Sequence, residues 1–130
     1  MFKVELVSPE AVTYTGEAAM VIARTIDEGD IAFQSGHVPF IGALAVWSVD
    51  VIREGGDRDV FAVHRGFVQV SGDEVTILSD VSERADEIDI DRARVAKESA
   101  EAALAADGGD VDAEGALARA DLRLRVAGVE

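Results

Sequence analysis

The spacing of the apolar residues changes near Asp86, and this change limits the folds that are open to the chain. Between residues 2 and 78 the apolar residues recur at every second position, or in short runs separated by glycine-rich breaks. Beyond residue 86 they recur every three to four residues in an alanine-rich sequence. A strand points successive side chains to opposite faces, whereas a helix repeats its face about every 3.6 residues. We therefore predict a β domain over residues 1–86 and a helical domain over residues 87–130.

The pattern of the first part predicts a series of short strands. Phe2, Val4 and Leu6 share one face of the first strand. Two glycine-containing breaks, at residues 55–57 and 71–73, fit hairpin turns because glycine readily adopts positive φ. The further candidate strands are residues 20–23, 31–33, 46–52, 60–63, 67–70 and 75–78. This arrangement predicts a β-sandwich or a flattened barrel.

Two helices are predicted in the second part. Asp89 or Asp91 can cap the first helix and Asp110 or Asp112 the second, because a carboxylate accepts hydrogen bonds from the free N–H groups of a helix start. Gly128 ends the second helix. The apolar stripes are Ala93, Ala96, Ala100, Ala103 and Leu104, then Ala113, Leu117, Ala120, Leu124 and Ala127. The fold class is therefore β + α, with an N-terminal β-sandwich followed by a C-terminal α-helical hairpin.

The alanine stripes predict that the hairpin docks weakly. A methyl group buries much less area than a leucine side chain, whose full burial contributes about 1.5 to 3 kcal/mol. A small free-energy gap between two arrangements is what allows a ligand to shift the population. The hairpin is therefore either a conformational switch or a static C-terminal element.

The formal net charge of −14 argues against nucleic acid and anionic lipid as direct partners, because both are polyanions. The absence of cysteine excludes disulfides and thiolate chemistry. The longest apolar stretches, such as residues 40–49, are shorter than the roughly 20 residues that cross a bilayer, so we expect no membrane insertion. Strand pattern begins at Phe2, which leaves no room for a signal peptide, and we expect synthesis and residence in one compartment.

Four stretches, in order, resemble the epsilon subunit family of bacterial and plastid ATP synthases. They are residues 28–41 (EGDIAFQSGHVPFI), residues 66–78 (GFVQVSGDEVTIL), residues 83–89 (ERADEID), and residues 109–112 (GDVD) with residues 124–126 (LRV). The resemblance covers nearly the whole chain.

The resemblance implies a non-catalytic rotor-stalk subunit at the cytoplasmic face of the bacterial plasma membrane. Its partners would be the gamma subunit, the ring of c subunits, and the alpha and beta subunits of the catalytic head. In this role the β domain couples gamma to the ring, and the helices inhibit ATP hydrolysis when they extend along gamma.

The loop around Gly36, His37 and Pro39 is a candidate partner-contact site, together with Asp30. Proline fixes φ and glycine tolerates unusual angles, so the loop should be rigid. The resemblance implies that these residues face the c-ring and gamma, and the alternative is a solvated turn. A metal site formed by Asp27, Glu28, Asp30 and His37 is disfavoured because their spacing fits no metal-binding loop. His64 is expected to be a structural strand residue.

Residues 88–93 (IDIDRA) match the motif by which some members of the family bind ATP. The resemblance implies a regulatory ATP site made of Glu83, Ile88, Asp89, Arg92, Ala93, Arg119 and Arg123. Arg119 and Arg123 stand four residues apart, on one helical face, where two guanidinium groups could neutralise phosphate.

The alternative to an ATP site is local ion pairing. Arg92 would then pair with Asp89 at the helix start, and the two later arginines with acids such as Asp121 or Glu101. The sequence also departs from other members after Arg94, where Lys97 is the basic residue that follows. Fewer phosphate contacts would result.

Two other function classes fit the sequence less well. A hydrolase is disfavoured because neither His37 nor His64 lies in a recognisable nucleophile context. A stand-alone β-sandwich ligand-binding module is the stronger alternative. Such modules usually expose aromatic platforms, whereas this chain has one Trp, one Tyr and five Phe, several at expected core positions. That model also gives the alanine-rich hairpin no role.

Overall fold

The computed structural model of the chain describes residues 2–129, in which strands precede helices. The strands are β1 (Phe2–Val7), β2 (Val12–Ala18), β3 (Met20–Thr25), β4 (Gly29–Gln34), β5 (Phe40–Ile52), β6 (Arg58–Ser71), β7 (Glu74–Leu78) and β8 (Ser82–Arg84). A 3₁₀ turn (Ala85–Glu87) follows, and then α1 (Ile90–Ala106) and α2 (Val111–Val126). The chain divides into two compact units between Arg84 and Ala85, here called the β unit and the helical unit. The sequence had placed this boundary two residues later.

The β unit is one eight-stranded sheet folded around a single core. Its strand order is β2-β1-β7-β6-β5-β3-β4, and β8 pairs with β6 off this path. The pairs are antiparallel except for β1 with β7. β6 pairs with β5 along most of its length, with β7 through its C-terminal part and with β8 through its N-terminal part, whereas β5 pairs with β6 on one side and with β3 on the other. The β-sandwich prediction is confirmed.

The alternation of side chains in the strands builds the core. Val4 and Leu6 on β1, Val21 on β3 and Phe33 on β4 are at most 1% exposed. Phe2, Val4 and Leu6 thus share the buried face, as predicted. All members of the core cluster lie on strands of the β unit, which therefore has a hydrophobic core of its own.

Several strand boundaries were predicted wrongly. Residues 60–63 and 67–70 form one strand, because β6 continues through the Arg65–Gly66 step with φ of +73° and +150°. A local bulge or kink of this kind bends a strand without ending it. β5 begins at Phe40, six residues before the predicted start. β2 and β8 were missed, since β2 is mostly exposed and β8 has three residues.

The helical unit is an αα-hairpin with an aspartate cap on each helix. Asp89 Oδ1 accepts a hydrogen bond from the Arg92 N–H at 3.0 Å, and Asp110 Oδ1 accepts one from the Ala113 N–H at 3.1 Å. Each cap satisfies a free donor at its helix start. Gly128, at φ +85°, follows α2 as predicted.

Five of the ten predicted stripe residues are buried, and the other five are half-buried. The buried residues are Ala93 and Ala100 in α1, and Ala113, Ala120, Leu122 and Leu124 in α2. Leu122 was not in the predicted stripe. Lys97 Nζ on α1 lies 3.2 Å from Asp121 Oδ1 on α2, which fixes the antiparallel register of the hairpin.

Candidate functional site

The loop between β4 and β5 holds three of the predicted partner-contact residues. Gly36 has a φ of +85°, and the His37 N–H donates to the Gln34 carbonyl at 3.0 Å, which closes a turn. His37 Nδ1 donates to the Val38 carbonyl at 2.7 Å, since a carbonyl oxygen can only accept. The side chain of Val38 is 70% exposed and Pro39 is exposed as well.

Aromatic packing holds the His37 ring beside the core. Its centroid lies 5.0 Å from that of Phe33 and 6.4 Å from that of Phe40, in edge-to-face arrangements. The ring is therefore half-buried, and Val38 is the side chain that the loop presents. The loop therefore exposes the apolar side chain of Val38 on a rigid support, while the ring of His37 packs against the core.

Asp30, the fourth predicted contact residue, lies on β4 opposite Arg24 of β3. Arg24 donates from Nε and Nη2 to the two carboxylate oxygens, at 2.9 and 3.1 Å. The hydrogen bond that Arg24 donates to Asp30 raises the pKa of Arg24 above its ordinary value. The Arg24 guanidinium also stacks 3.7 Å over the Trp47 ring. The β3–β4 hairpin thus presents a fixed polar surface.

The acidic residues near this hairpin do not assemble a metal site. Over residues 2–129, no group of three or more His, Cys, Asp or Glu side chains is placed to hold a metal ion. Asp27, Glu28, Asp30 and His37 therefore do not converge.

An exposed apolar row crosses four strands of the β unit. Val7 pairs with Leu78, Leu78 with Phe67, and Phe67 with Ala43, so these four side chains share one face of β1, β7, β6 and β5. Phe67 is 54% exposed, Leu78 is 41% exposed, and the adjoining Ile41 is 70% exposed. We call these five residues the apolar ridge.

A depression lies at each end of the apolar ridge. The larger is a groove of about 530 Å³ lined by Val7, Ser8, Pro9, His64, Arg65, Gly66, Phe67, Leu78, Ser79 and Asp80. The smaller, of about 330 Å³, is lined by Pro39, Phe40, Ile41, Gln69, Val70 and Ser71. The second depression joins the ridge to the loop that carries His37.

The apolar ridge was not predicted from the sequence, although adjacent apolar residues on two strands indicate it. Phe67 and Val68 are neighbours on β6, and Ile77 and Leu78 are neighbours on β7, so both faces of each strand carry apolar residues. A strand that is covered on one face alternates apolar with polar residues. Adjacent apolar residues therefore indicate a second covered face.

The proposed nucleotide residues are divided between the two units. Glu83 lies on β8 in the β unit, where its Oε1 is 3.0 Å from His64 Nε2. His64, which is only 4% exposed in its side chain, is thus held in this pair, in keeping with a structural role.

The other six nucleotide residues lie in the helical unit or directly before α1. Ile88 and Ala93 are buried, and the Asp89 carboxylate accepts from the backbone of Arg92. The expected pair of Asp89 with Arg92 is therefore present as a helix cap. The donor is the backbone N–H of Arg92, not its guanidinium group. Asp121, expected beside the later arginines, lies 3.2 Å from Lys97 Nζ through its Oδ1.

The register of the hairpin places the arginines along it. Since Lys97 faces Asp121, Arg123 lies roughly opposite residue 95, within about one turn of Arg92. Arg119 lies about 6 Å beyond Arg123 along the axis, and so about 10 Å from Arg92, at 1.5 Å per residue. Its Nη1 lies over Gly115, only 3.2 Å from where a β-carbon there would be. Arg92 and Arg123 can therefore meet one small ligand more readily than Arg92 and Arg119.

A buried carboxylate forms a second cluster, near the end of the β unit. Asp59 on β6 is 8% exposed. It accepts hydrogen bonds from Tyr14 Oη at 3.0 Å and from Arg84 Nη2 at 3.0 Å, and Arg53 Nε lies 3.3 Å away. Both arginines offset the cost of burying the charge.

Tyr14 provides a pH prediction. Burial, and then the hydrogen bond to Asp59, raise the pKa of Tyr14 above its ordinary value of 10.0. Below that pH both the folded and the unfolded chain keep the phenol proton, and the hydrogen bond contributes fully. Above pH 10 the unfolded chain loses the phenol proton before the folded chain does. The free energy of unfolding therefore falls until the pH exceeds the pKa of Tyr14 in the folded chain.

We expect Tyr14→Phe to lower the free energy of unfolding by about 1 kcal/mol at neutral pH. The difference between the two proteins should shrink above pH 10, because the phenylalanine variant lacks this titration. Urea unfolding at pH 7 to 11 measures both. A difference that grew with pH would contradict the assignment.

Within residues 2–129, no helix has the length and apolar character required to cross a membrane.

Comparison with known proteins assigns both units to one family. Residues 1–85 match the family model described as ATP synthase, Delta/Epsilon chain, beta-sandwich domain, and residues 86–128 match the corresponding long alpha-helix domain. The ATP synthase epsilon chain of Thermobifida fusca is 46% identical over 98% of this chain and 92% of the relative. That of Shouchella clausii is 41% identical over 96% of this chain and 93% of the relative.

Solved structures support the fold. A chain in the Euglena gracilis mitochondrial ATP synthase is similar with a TM-score of 0.69 at 24% identity, over 97% of this chain and 76% of that one. A chain in the central stalk and c-ring of the Tetrahymena thermophila mitochondrial ATP synthase is similar with a TM-score of 0.63 at 13% identity, over 96% and 95%. The resemblance found in the sequence is confirmed, and a stand-alone binding module is not supported. The chain belongs to the ATP synthase epsilon chain family.

Proposed function

We propose that this chain is a non-catalytic stalk subunit of a rotary ATP synthase. It binds the gamma subunit and the ring of c subunits through the β unit and restrains ATP hydrolysis through the helical unit. It resides peripherally at the cytoplasmic face of the bacterial plasma membrane. Family membership supports the assembly, and the surfaces of the β unit support the partners.

The apolar ridge is the observation that carries the proposal. A monomeric soluble protein seldom exposes a contiguous apolar patch larger than a few hundred Å², and such patches mark protein-binding surfaces. Phe67, Leu78 and Ile41 are all more than two-fifths exposed. Phe67 pairs with Leu78 on β7. Ile41 lies on β5 two residues from Ala43, which pairs with Phe67. Strands hold these side chains rigidly, so a partner meets them without an ordering cost. The ridge is the binding surface for gamma.

The loop that carries Gly36, His37 and Pro39 is the contact for the c-ring. Its turn hydrogen bonds and the aromatic packing of His37 leave Val38 exposed on a stiff support. Asp30 and Arg24 on the β3–β4 hairpin supply a polar contact of fixed geometry. A stiff loop transmits torque between gamma and the ring without slip.

The helical unit is the inhibitory element. Its buried positions are mostly alanine, so its packing supplies little hydrophobic free energy, which suits an element that changes its arrangement. When extended, it reaches the catalytic head, where its arginines meet acidic groups of the beta subunits.

ATP is the proposed regulatory ligand of the hairpin. Arg92 and Arg123 lie within about one turn of each other, and guanidinium groups bind phosphate through charge-assisted hydrogen bonds. Calorimetric titration should show ATP binding that Arg123→Ala weakens about tenfold and Arg119→Ala weakens less. Equal affinity in all three proteins would refute the site.

Removal of residues 87–130 tests the inhibitory role. Because the β unit has its own core, residues 1–86 should fold and assemble with the remaining subunits. ATP hydrolysis by the assembled enzyme should then rise severalfold above that of the enzyme with the full chain. Normal assembly with unchanged hydrolysis would show that inhibition does not reside in the helices.

A further inference from the structure

The strand β8 connects the β unit to the helical unit. It has three residues and pairs only with β6 in the described sheet, where Phe61 faces Arg84, Ala62 faces Glu83 and Val63 faces Ser82. So short a strand forms few backbone hydrogen bonds. Its attachment therefore depends on side chains.

Asp59 supplies the central side-chain attachment. Its Oδ1 accepts from Arg84 Nη2, on the last residue of β8, at 3.0 Å. Its Oδ2 accepts from Tyr14 Oη on β2 at 3.0 Å, and Arg53 Nε, just after β5, lies 3.3 Å away. One buried carboxylate thus ties β8 to β2, β6 and the end of β5. The carboxylate is buried while both arginines are more than two-fifths exposed, and hydrogen bonds between charged groups are stronger than those between neutral groups.

The residues that precede Arg84 are also attached to β6. Ser79 Oγ donates to the Arg65 carbonyl at 2.6 Å, and the His64 N–H donates to the Val81 carbonyl at 3.1 Å. Glu83 Oε1 lies 3.0 Å from His64 Nε2. The chain is therefore held at four points between residues 79 and 84, and Asp59 holds the last of them.

We propose that Asp59 is a positioning residue, which clamps β8 through Arg84 and so fixes the point from which the helical unit leaves the β unit. The proposal rests on the proposed function, because it concerns how inhibition is made efficient. Asp59 is buried, at 8% exposure. It acts by keeping the link between the units short.

A short link matters because the helical unit is tethered to the site where it acts. Loss of the Asp59–Arg84 bond would release the end of β8 and lengthen the flexible link, and a longer flexible link lowers the effective concentration of the tethered element. The loss grows slowly with length, so we expect inhibition to weaken by about two- to fivefold.

Asp50 offers a matched control. It lies on β5, next to β6 in the sheet, and its Oδ2 accepts from Arg58 Nη1 at 2.6 Å. Asp50→Asn therefore makes the same change as Asp59→Asn, because each replaces an aspartate that is hydrogen-bonded to an arginine in the same sheet. It should not alter the attachment of β8. Arg84→Gln is a second variant that removes the bond from the β8 side, for use if Asp59→Asn fails to fold.

Hydrogen exchange on the full chain tests the clamp itself. In Asp59→Asn and in Arg84→Gln, the backbone amides of β8 should exchange about tenfold faster or more, the factor that loss of one charged hydrogen bond gives. The amides of β7 should keep their protection, which separates local release from general unfolding. Asp50→Asn should leave both strands unchanged. Unchanged exchange of β8 in both test variants would overturn the proposal.

Hydrolysis by the assembled synthase tests the consequence. Asp59→Asn should raise it about two- to fivefold and Asp50→Asn should not. If β8 is released while hydrolysis stays inhibited, and removal of residues 87–130 still activates the enzyme, Asp59 has no positioning role and the proposed function stands. If that removal has no effect, both proposals fall.

Discussion

We expect Gly66→Ala to lower the free energy of unfolding by about 4 kcal/mol or more. Gly66 has a φ of +150°, which L side chains rarely adopt, and an added β-carbon would clash with the Leu78 carbonyl oxygen. It would also lie 3.0 Å from the carbonyl carbon of Leu78 and 3.1 Å from the α-carbon of Ser79. These are backbone atoms, so no side-chain rotation relieves the clash. Urea unfolding of the full chain measures the loss.

Gly72→Ala is the matched control for this experiment. Gly72 has a φ of +60° in the turn between β6 and β7, with nothing within 4 Å of an added β-carbon. Alanine there meets only the left-handed backbone penalty of about 1 to 2 kcal/mol. Equal losses in the two variants would show that the approach of β6 to the end of β7 is not what requires glycine.

Gly66 bears on the proposed function because it shapes the apolar ridge, the proposed binding surface for gamma. Gly66 precedes Phe67 on β6, and both line the larger depression at the end of the apolar ridge. The left-handed step at Arg65 and the close approach at Gly66 set where Phe67 and Leu78 lie. The ridge therefore depends on backbone geometry as well as on side-chain type.

The parts of the fold that the sequence predicted are those where local pattern and burial agree. β1 alternates Phe2, Val4 and Leu6 with outward residues, and all three are core residues. Asp89 and Asp110 cap their helices because each directly precedes a helix with a free donor to satisfy. The residues that predict these elements lie within the element itself or directly before it.

The strand errors occur where the local sequence pattern does not specify the strand. β2 reads VTYTGEA, in which only Ala18 is fully buried and Tyr14 is half-buried, so no apolar period marks it as a strand. Its pairing with β1 provides the missing information. The Arg65–Gly66 step resembles a turn in sequence, yet tertiary packing carries β6 through it.

The apolar ridge and the Asp59 cluster depend on contacts far apart in the sequence. Asp59 meets Tyr14, 45 residues before it, and Arg84, 25 residues after it. No spacing rule relates such residues. Phe67 and Leu78 were assigned to strands, but only the register between β6 and β7 shows that they lie side by side on the outer face.

The second large effect is expected at Phe67. A charge introduced at the centre of a partner interface is desolvated without a partner charge, which costs about 3 to 5 kcal/mol. Phe67→Asp should therefore weaken binding to gamma by about 100-fold or more. The fold should survive, because Phe67 is 54% exposed and is not a member of the core cluster.

Val111→Asp is the control for Phe67→Asp. Val111 is 75% exposed and lies at the first position of α2, where an aspartate interacts favourably with the helix dipole. The variant makes the same kind of change, an exposed apolar side chain replaced by a carboxylate, outside the ridge. Both variants should retain the circular dichroism spectrum of the unaltered chain.

Titration of the isolated gamma subunit with the full chain and these two variants tests the central claim, that the apolar ridge is the surface by which this protein joins the stalk. We expect the unaltered chain and Val111→Asp to bind gamma tightly. Phe67→Asp should bind about 100-fold more weakly, or less tightly still, at the same ionic strength. Equal affinities for all three proteins, with Phe67→Asp folded, would contradict that claim.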